Sequence, residues 1–439
     1  MLFFFNILLA KTLFFISKFF NIGSGSTWPG HLTLYFDKKI IQKILKRNPN
    51  LKIIFVIGTN GKTTTTLLLA DILKNLGFKL FYNQEGANLL NGILSAILKN
   101  INLKGYLNYD YAIFEIDEFS FPLVYQEIRP EAIIILCLFR DQLDRYGEVN
   151  TIALRWFETL KNSSHKPVLV VNSDDPNLYY QTKKLDNKKI FFSIDKKYLK
   201  YSKKLTDDVD FIFCPECSEI LNYRKISYSH LGDYYCQKCG FKKDFIYQKI
   251  NIFYPLKGIY NVYNTNAVIS LIKYLYPNIK DEKINEILKK FKPAFGRQEK
   301  IYYQNRYFYI FLTKNPAGFN QTIKTIKSLL KNKKENFFIV LNNRIPDGKD
   351  ISWIWDINFK DLFNNLKKVF VSGDRLYDMV IRLIYEDEKI KKNIIPVESL
   401  KNALNQLIKL TKKKETIYVI STYSAMLEIR KILTGKKLI

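Results

Sequence analysis

Gly58, Thr59, Asn60, Gly61, Lys62, Thr63 and Thr64 stand in a row, and their residue types suit one task, the holding of phosphate. Glycines let backbone N–H groups come close to an anion. A helix that starts at the loop adds its partial positive charge. Lys62 has the reach for outer phosphates, and the Thr63 hydroxyl suits Mg²⁺. A long Walker loop would carry its first glycine where Val56 stands, so this is a shorter form.

Other residues have types that could do chemistry with it. Glu115 lies near the end of the apolar run 111–116, with Asp117 and Glu118 just beyond. A carboxylate beside a phosphate loop is placed to hold the Mg²⁺ that bridges ATP oxygens, and Asp117 and Glu118 are near enough to share that role. Cys214 and Cys217, then Cys236 and Cys239, form two Cys-x-x-Cys pairs separated by eighteen residues. That is the spacing of a four-thiolate zinc ribbon. Four protein ligands leave no open position, so the Zn²⁺ would be structural, and four thiolates suggest a reducing compartment. The fifth cysteine is Cys137, and the histidines are His31, His165 and His230. This scarcity argues against a Cys-His or Ser-His-Asp triad within the chain. Asn261 lies where a helix opens and suits either a cap or a nucleotide-base contact. Arg297 falls in a hinge-like stretch, 293–299, and its fork suits phosphate oxygens. Asp347, Asp350 and Asp356, with Trp353 and Trp355, follow a strand-like run and mark a site or a docking surface.

The elements that must position these groups are legible as apolar runs. Residues 51–55, 79–82, 111–116, 132–137 and 167–171 read as strands separated by helical stretches. The fold class is therefore α/β, with a mostly parallel, doubly wound sheet. Ligands of such sheets gather at the carboxyl ends of strands, where the phosphate loop, Glu115 and residues 139–141 all fall. Residues 307–312, 336–341, 368–373 and 416–421 give a second, Rossmann-like α/β unit. Three regions are expected: a lead-in at 1–48, an ATP-binding domain at 49–297 with the zinc-ribbon insertion at about 205–250, and a C-terminal domain at 298–439.

The first twenty residues are apolar, but Lys11 and Lys18 interrupt them. Neither a signal peptide nor a spanning helix fits. An amphipathic helix fits, either packed on the protein or lying on a membrane surface. Residues 23–30 read as a loop. The formal net charge is +28 over 439 residues. The lysines are scattered and no basic-aromatic motif stands out, which argues against a nucleic-acid binder and leaves a basic face against anionic lipid as an option.

On these residues the chain resembles the Mur ligase family and, within it, the MurT branch, the ATP-binding subunits of lipid II isoglutaminyl synthase. The resemblance is carried by the short phosphate loop and by residues 86–88, 115–118, 139–148 and 172–176 together with the cysteine pairs. In the C-terminal part it rests on residues 314–320, 350–356 and 422–428. It implies ATP and Mg²⁺ at the loop, with Lys62 and Glu115 catalytic, Thr63 and Glu115 on magnesium, and Asn261 and Arg297 on the nucleotide. It implies amidation of the D-glutamate α-carboxylate of the lipid II stem peptide through an acyl phosphate, in the cytoplasm or at the inner face of the plasma membrane. Ammonia would come from a glutaminase partner, GatD in this family. An aspartate of the C-terminal domain would complete the partner's Cys-His site. Asp350 is the first choice, with Asp347 and Asp356 behind it. The sequence departs from the general pattern in three ways. Gln142 stands where other Mur ligases carry a metal-binding His, Cys137 stands where Asn is usual, and a separate nucleotide-sugar-binding N-terminal domain is expected to be absent.

Two rival readings differ in class. One is a Mur-type ligase joining an amino acid to another carboxylate. The other is a non-catalytic ATP-binding scaffold. The nucleophile preferred and the presence of ATP turnover distinguish them.

Overall fold

The fold was obtained as a computed structural model that describes residues 2–20, 26–83, 86–140, 149–199, 209–244, 250–293, 295–331 and 333–435. The chain opens with α1 (Leu2–Phe19), α2 (Trp28–Phe36) and α3 (Ile40–Arg47). It then alternates through β1 (Lys52–Ile57), α4 (Lys62–Asn75), β2 (Leu80–Tyr82), α5 (Leu90–Asn100), β3 (Tyr111–Glu115), α6 (Phe121–Glu127) and β4 (Ala132–Ile135). Next come α7 (Val149–Lys161), β5 (Val168–Asn172), α8 (Pro176–Lys183) and β6 (Lys189–Phe192). These strands form one parallel sheet in the order β2-β3-β1-β4-β5-β6. β1 lies near the middle with both faces covered, which is why Ile53 to Ile57 form an unbroken buried run. Ile53, Phe55 and Ile57 point into a core with Ile7, Ile40, Ile93, Phe121 and Trp156. Ile54 and Val56 point the other way, among residues of α4 and later helices.

The cysteine-bearing insertion contributes the hairpin β7 (Asn222–Tyr228) and β8 (Leu231–Tyr235). Helices α9 (Ile259–Leu275) and α10 (Asp281–Lys290) return to the first sheet. The second unit runs β9 (Arg297–Tyr303), β10 (Arg306–Leu312), α11 (Pro316–Leu330), β11 (Glu335–Val340), α12 (Lys360–Phe363), β12 (Leu366–Ser372) and α13 (Leu376–Glu386). It closes with β13 (Ile394–Pro396), α14 (Leu400–Leu410), β14 (Thr416–Ser421) and α15 (Tyr423–Thr434). Its sheet order is β13-β12-β11-β14-β10-β9, with β9 antiparallel to β10 and the rest parallel.

Four local expectations are corrected. Helix α2 begins at Trp28, inside the stretch read as loop, because Pro29 suits a first helical turn and Gly30 packs against the Asn91 carbonyl, where a side chain would not fit. β6 was not anticipated; it is a short edge strand whose Lys188 and Lys189 obscure its apolar pattern. The hinge-like stretch 293–299 runs into strand β9 at Arg297, and the charged residues Arg297, Glu299 and Lys300 open a half-exposed edge strand. Helix α9 starts at Ile259 with Gly258 in the cap position, so Asn261 lies inside the first turn and is not the N-cap. No helix among the described residues is long and apolar enough to cross a membrane.

Candidate active site at the phosphate loop

The loop between β1 and α4 is tied to the end of β4. The Thr59 N–H donates to the Cys137 carbonyl at 2.8 Å, and the Thr59 hydroxyl engages both the N–H and the carbonyl of Phe139 at 3.0 and 3.1 Å. Gly61 caps α4 with φ at +93°. A Cβ there would meet the Asn264 side-chain oxygen at 2.2 Å, so both conformation and space require glycine. Gly61→Ala is expected to weaken ATP binding by at least about tenfold, measured by calorimetry, because it displaces the amides that face phosphate. Unchanged affinity would show that the loop tolerates a Cβ there.

Lys62 is buried. Its Nζ donates to the Gly58 carbonyl at 2.7 Å and pairs with Glu118 Oε1 at 2.5 Å. Thr63 Oγ1 donates to Glu115 Oε2 at 2.7 Å and accepts from Arg297 Nη2 at 3.0 Å. Thus β3, α4 and the start of β9 bring their functional side chains to one point. Two oxygen ligands on adjacent octahedral positions of Mg²⁺ lie about 2.9 Å apart. The Thr63–Glu115 oxygens therefore fit a shared magnesium.

Glu118 was named only as a companion to Glu115, yet it holds the lysine. Trp156 fixes its backbone through an indole N–H bond to the Glu118 carbonyl at 2.7 Å. Asp117 does different work, accepting the N–H groups of Phe119 and Ser120 at 3.1 and 3.3 Å where the chain turns into α6. Asn83 escaped the sequence reading. Its amide bonds both the N–H and the carbonyl of Glu115, at 3.0 and 2.8 Å, and so fixes the end of β3. No local motif marks it, because its partner lies thirty-two positions away.

The loop opens on a cleft between the two α/β units. Asn60 faces it, as do Asn261, Arg297, Gln298 and Gly318. Asn60 and Asn315 exchange amide hydrogen bonds at 3.2 Å, while Asn315 caps α11 by accepting from the Gly318 N–H at 2.8 Å. The second unit thereby docks a helix start over the phosphate loop. Asn261 donates to the Lys257 carbonyl at 2.7 Å. Gln298 holds φ at +61°, unusual for a residue with a side chain, and its amide bonds the Lys257 carbonyl and the Tyr260 hydroxyl at 2.6 and 2.9 Å. This fixes the backbone from which Arg297 reaches Thr63. Thr64 is buried at the cleft wall. Cys137 is buried too, and burial pushes its thiol up to about 12. A thiol so hard to ionise is a poor nucleophile.

Cys214, Cys217, Cys236 and Cys239 come together with all four sulfurs within 4.8 Å of one another. The Cys214–Cys239 and Cys217–Cys236 sulfurs are 3.6 and 3.5 Å apart. Tetrahedral Zn–S bonds of 2.3 Å set sulfurs about 3.8 Å apart, whereas a disulfide needs about 2.05 Å. The donor set therefore fits zinc. The insertion also reaches the cleft. Tyr228 lines it and packs against Phe139 and Tyr263, at ring separations of 5.6 and 6.0 Å. Arg140 pairs with Asp210 of the insertion at 2.5 Å and with Asp356 of the second unit at 3.3 Å. Gln142 and Asp141 lie outside the described residues.

The three aspartates of the C-terminal loop have separate surroundings. Asp347 is buried, accepts from the Ser424 N–H at 2.8 Å and its hydroxyl at 2.5 Å, and burial raises its carboxyl above the usual range. Asp356 is committed to Arg140. Among the described residues, half-buried Asp350 engages only its own loop, accepting from the Ser352 N–H and hydroxyl at 2.8 and 2.9 Å. Beside this loop Ile345, Trp355, Ile381 and Tyr385 are exposed, and Trp355 meets Tyr385 edge-on at 5.3 Å.

A phosphate loop, a paired lysine and a threonine–carboxylate pair beside a cleft between two α/β units suit ATP-dependent chemistry, and the class of protein is a Mur-type ligase. The Mur ligase middle domain matches residues 56–272, and the MurT ligase C-terminal domain matches residues 312–426. The lipid II isoglutaminyl synthase (glutamine-hydrolyzing) subunit MurT of Streptococcus pneumoniae is 31% identical, over 95% of this chain and 94% of that protein. The subunit of the same name from Staphylococcus aureus is 30% identical over 82% of each. Among solved structures, a pseudomurein peptide ligase type C from Methanothermus fervidus superposes with a TM-score of 0.62 at 24% identity, covering 90% of this chain and 81% of that one. MurF ligase from Thermotoga maritima, in complex with ADP, gives 0.60 at 16%, covering 91% and 83%. The chain belongs to the MurT family of Mur ligase homologues. Mur ligases are ATP-dependent ligases of peptidoglycan synthesis and use Mg²⁺ with the nucleotide.

Proposed function

We propose that this chain is the ATP-using subunit of a two-subunit lipid II isoglutaminyl synthase. It converts the α-carboxylate of the stem-peptide D-glutamate to the amide of D-isoglutamine. The observation that carries the reading is the convergence of Thr63, Glu115 and Arg297 beside the interdomain cleft, on the same loop as the buried Lys62–Glu118 pair. A poor electrophile is activated there. The carboxylate oxygen attacks the γ-phosphorus of ATP and ADP leaves, giving an acyl phosphate. Ammonia then adds to the acyl carbon, loses a proton, and phosphate departs. Lys62 leaves its carbonyl partner for the phosphates and offsets their charge, and Arg297 adds a second cation. The amides from Gly58 to Thr64 orient the nucleotide, and Asn261 lies on the cleft wall for its base or ribose. Mg²⁺, held by Thr63 and Glu115, would supply neutralisation of the transferring phosphoryl group.

The ammonia comes from a separate glutaminase, GatD by family resemblance. This chain has no thiol suited to glutamine hydrolysis: Cys137 is buried, and the other cysteines converge on one another. Asp350 is proposed to complete the partner's Cys-His site, since Asp347 is buried and Asp356 is paired. The exposed apolar residues beside that loop suit a docking face for the glutaminase. We place the division between the ATP-binding and C-terminal domains at residue 297, the ribbon insertion at about 205–250, and the protein in the cytoplasm.

Mass spectrometry of lipid II incubated with the chain, ATP, Mg²⁺ and ammonium tests the activity. Loss of about one mass unit, the difference between carboxylic acid and amide, is expected and should vanish with Lys62→Ala. Activity only with an amino acid as nucleophile would instead make this a peptide-extending ligase. With the co-purified glutaminase, Asp350→Asn is expected to lower glutamine-dependent amidation by about 10²-fold while ammonium-dependent amidation persists. If both persist, Asp350 is the wrong acid.

A further inference from the structure

The N-terminal helices leave large apolar side chains on their outer side. On α1, Phe4, Leu8, Phe15 and Phe19 recur along one face with exposures of 46, 54, 68 and 70%, while Asn6, Ile7 and Ala10 are buried against the protein. Phe15 and Phe19 stack in the open, ring centroids 6.0 Å apart. On α2, Trp28 and Tyr35 stand 71 and 78% exposed, while Pro29, Gly30 and Thr33 are buried. A helix with one side resting on a folded domain ordinarily presents polar residues on the other. These helices instead carry large apolar side chains on the outer side as well, over about five turns of α1 and on α2, an apolar surface of the kind that marks an interaction site.

The charge around the patch identifies the occupant. Residues 1–47 hold seven Lys and Arg residues and a single acid, Asp37, which is buried and paired with Lys43 at 2.6 Å. Exposed Lys38 and Lys39 follow α2 directly, and exposed Arg47 stands over the Phe3 and Phe4 rings of α1 at 4.9 and 5.5 Å. A second copy of this chain would bring like charges together, with hardly an acid to meet them. Large aromatics with flanking cations instead match a surface of anionic phospholipid, where rings enter the headgroup boundary and cations meet phosphate.

We propose that the outer face of α1 and α2 docks this protein on an anionic lipid bilayer surface, lying in the interface without crossing it. The inference goes beyond the proposed reaction and does not depend on which carboxylate is amidated. It predicts that the full-length chain sediments with vesicles of phosphatidylglycerol and phosphatidylethanolamine, and more weakly with pure phosphatidylcholine. High salt should reduce the bound fraction on the anionic vesicles. Phe15→Ser combined with Phe19→Ser should weaken that partition about tenfold, with melting temperature and ATP binding unchanged, since both rings lie outside the core. Equal partition of the variant and the parent chain, or failure of the parent chain to sediment, would overturn the proposal. A dimer in solution that the double substitution dissolves would assign the face to self-association instead and equally overturn it. Amidation of a water-soluble stem-peptide acceptor would be unaffected in every case, so the two readings fail separately.

Discussion

Replacing Lys62 by Ala is expected to lower ATP-dependent turnover about 10³-fold, the scale of losing one preorganised charge from a transferring phosphoryl group. The side chain is buried beside the loop it would serve, bonded to the Gly58 carbonyl and to Glu118. Alanine therefore removes a cation from the point where negative charge builds up. It also leaves the Glu118 carboxylate buried with its cation gone, which should cost about 3 kcal/mol of stability. The two effects separate with a second variant. Lys62→Met with Glu118→Gln removes both charges and should recover most of the melting temperature while turnover stays low. Single-turnover rates and thermal melts on all three proteins provide the check. Recovery of turnover in the double variant would show that Lys62 acts only by neutralising Glu118.

The second large effect concerns the cysteines. Among the described residues, the insertion's separate apolar cluster is Cys214, Leu221 and Cys236, with half-buried Phe211, Tyr223 and Phe241 around them, while Tyr228 and Leu231 pack into the core of the first domain. So small a cluster does not hold a fold by itself, and metal binding to such domains supplies on the order of 10 kcal/mol. If the four cysteines hold zinc, as their geometry fits, a strong chelator or Cys236→Ser is expected to unfold the insertion. The loss should extend to the nucleotide, because Tyr228 lines the cleft against Phe139 and Asp210 holds Arg140 at the end of β4. ATP affinity should fall at least tenfold, while far-UV circular dichroism of the two large sheets changes little. Metal content by mass spectrometry and ATP binding by calorimetry test both parts. A metal-free protein with unchanged ATP affinity would make the ribbon a separate appendage.

Much of the site is legible in the sequence because its chemistry is local. A phosphate loop needs its glycines, lysine and threonine within seven positions. Each Cys-x-x-Cys pair declares itself in four residues, and buried parallel strands announce themselves as apolar runs. Those features carried the α/β class, the phosphate loop and the four cysteines as a metal-binding set, and they offered Glu115 and Arg297 as candidates to act with the loop. Short or half-exposed strands such as β6 and β9 were not legible, since charged residues on an edge blur the pattern that burial imposes elsewhere.

Tertiary structure alone decided the pairings. Glu118 rather than Asp117 meets Lys62 because the turn into α6 consumes the Asp117 carboxylate. Asn83 pins Glu115, and Asn60 meets Asn315 across 255 positions, because strand order and domain docking bring together amides that no spacing rule relates. The same holds for α1. Its apolar residues lie nearly all round the helix in sequence, and only packing against the first domain established which of them are buried and which face outward. Periodicity reports that a helix has an apolar face. What covers that face depends on the free energy of contacts with residues far along the chain, and those exist only once the fold is complete.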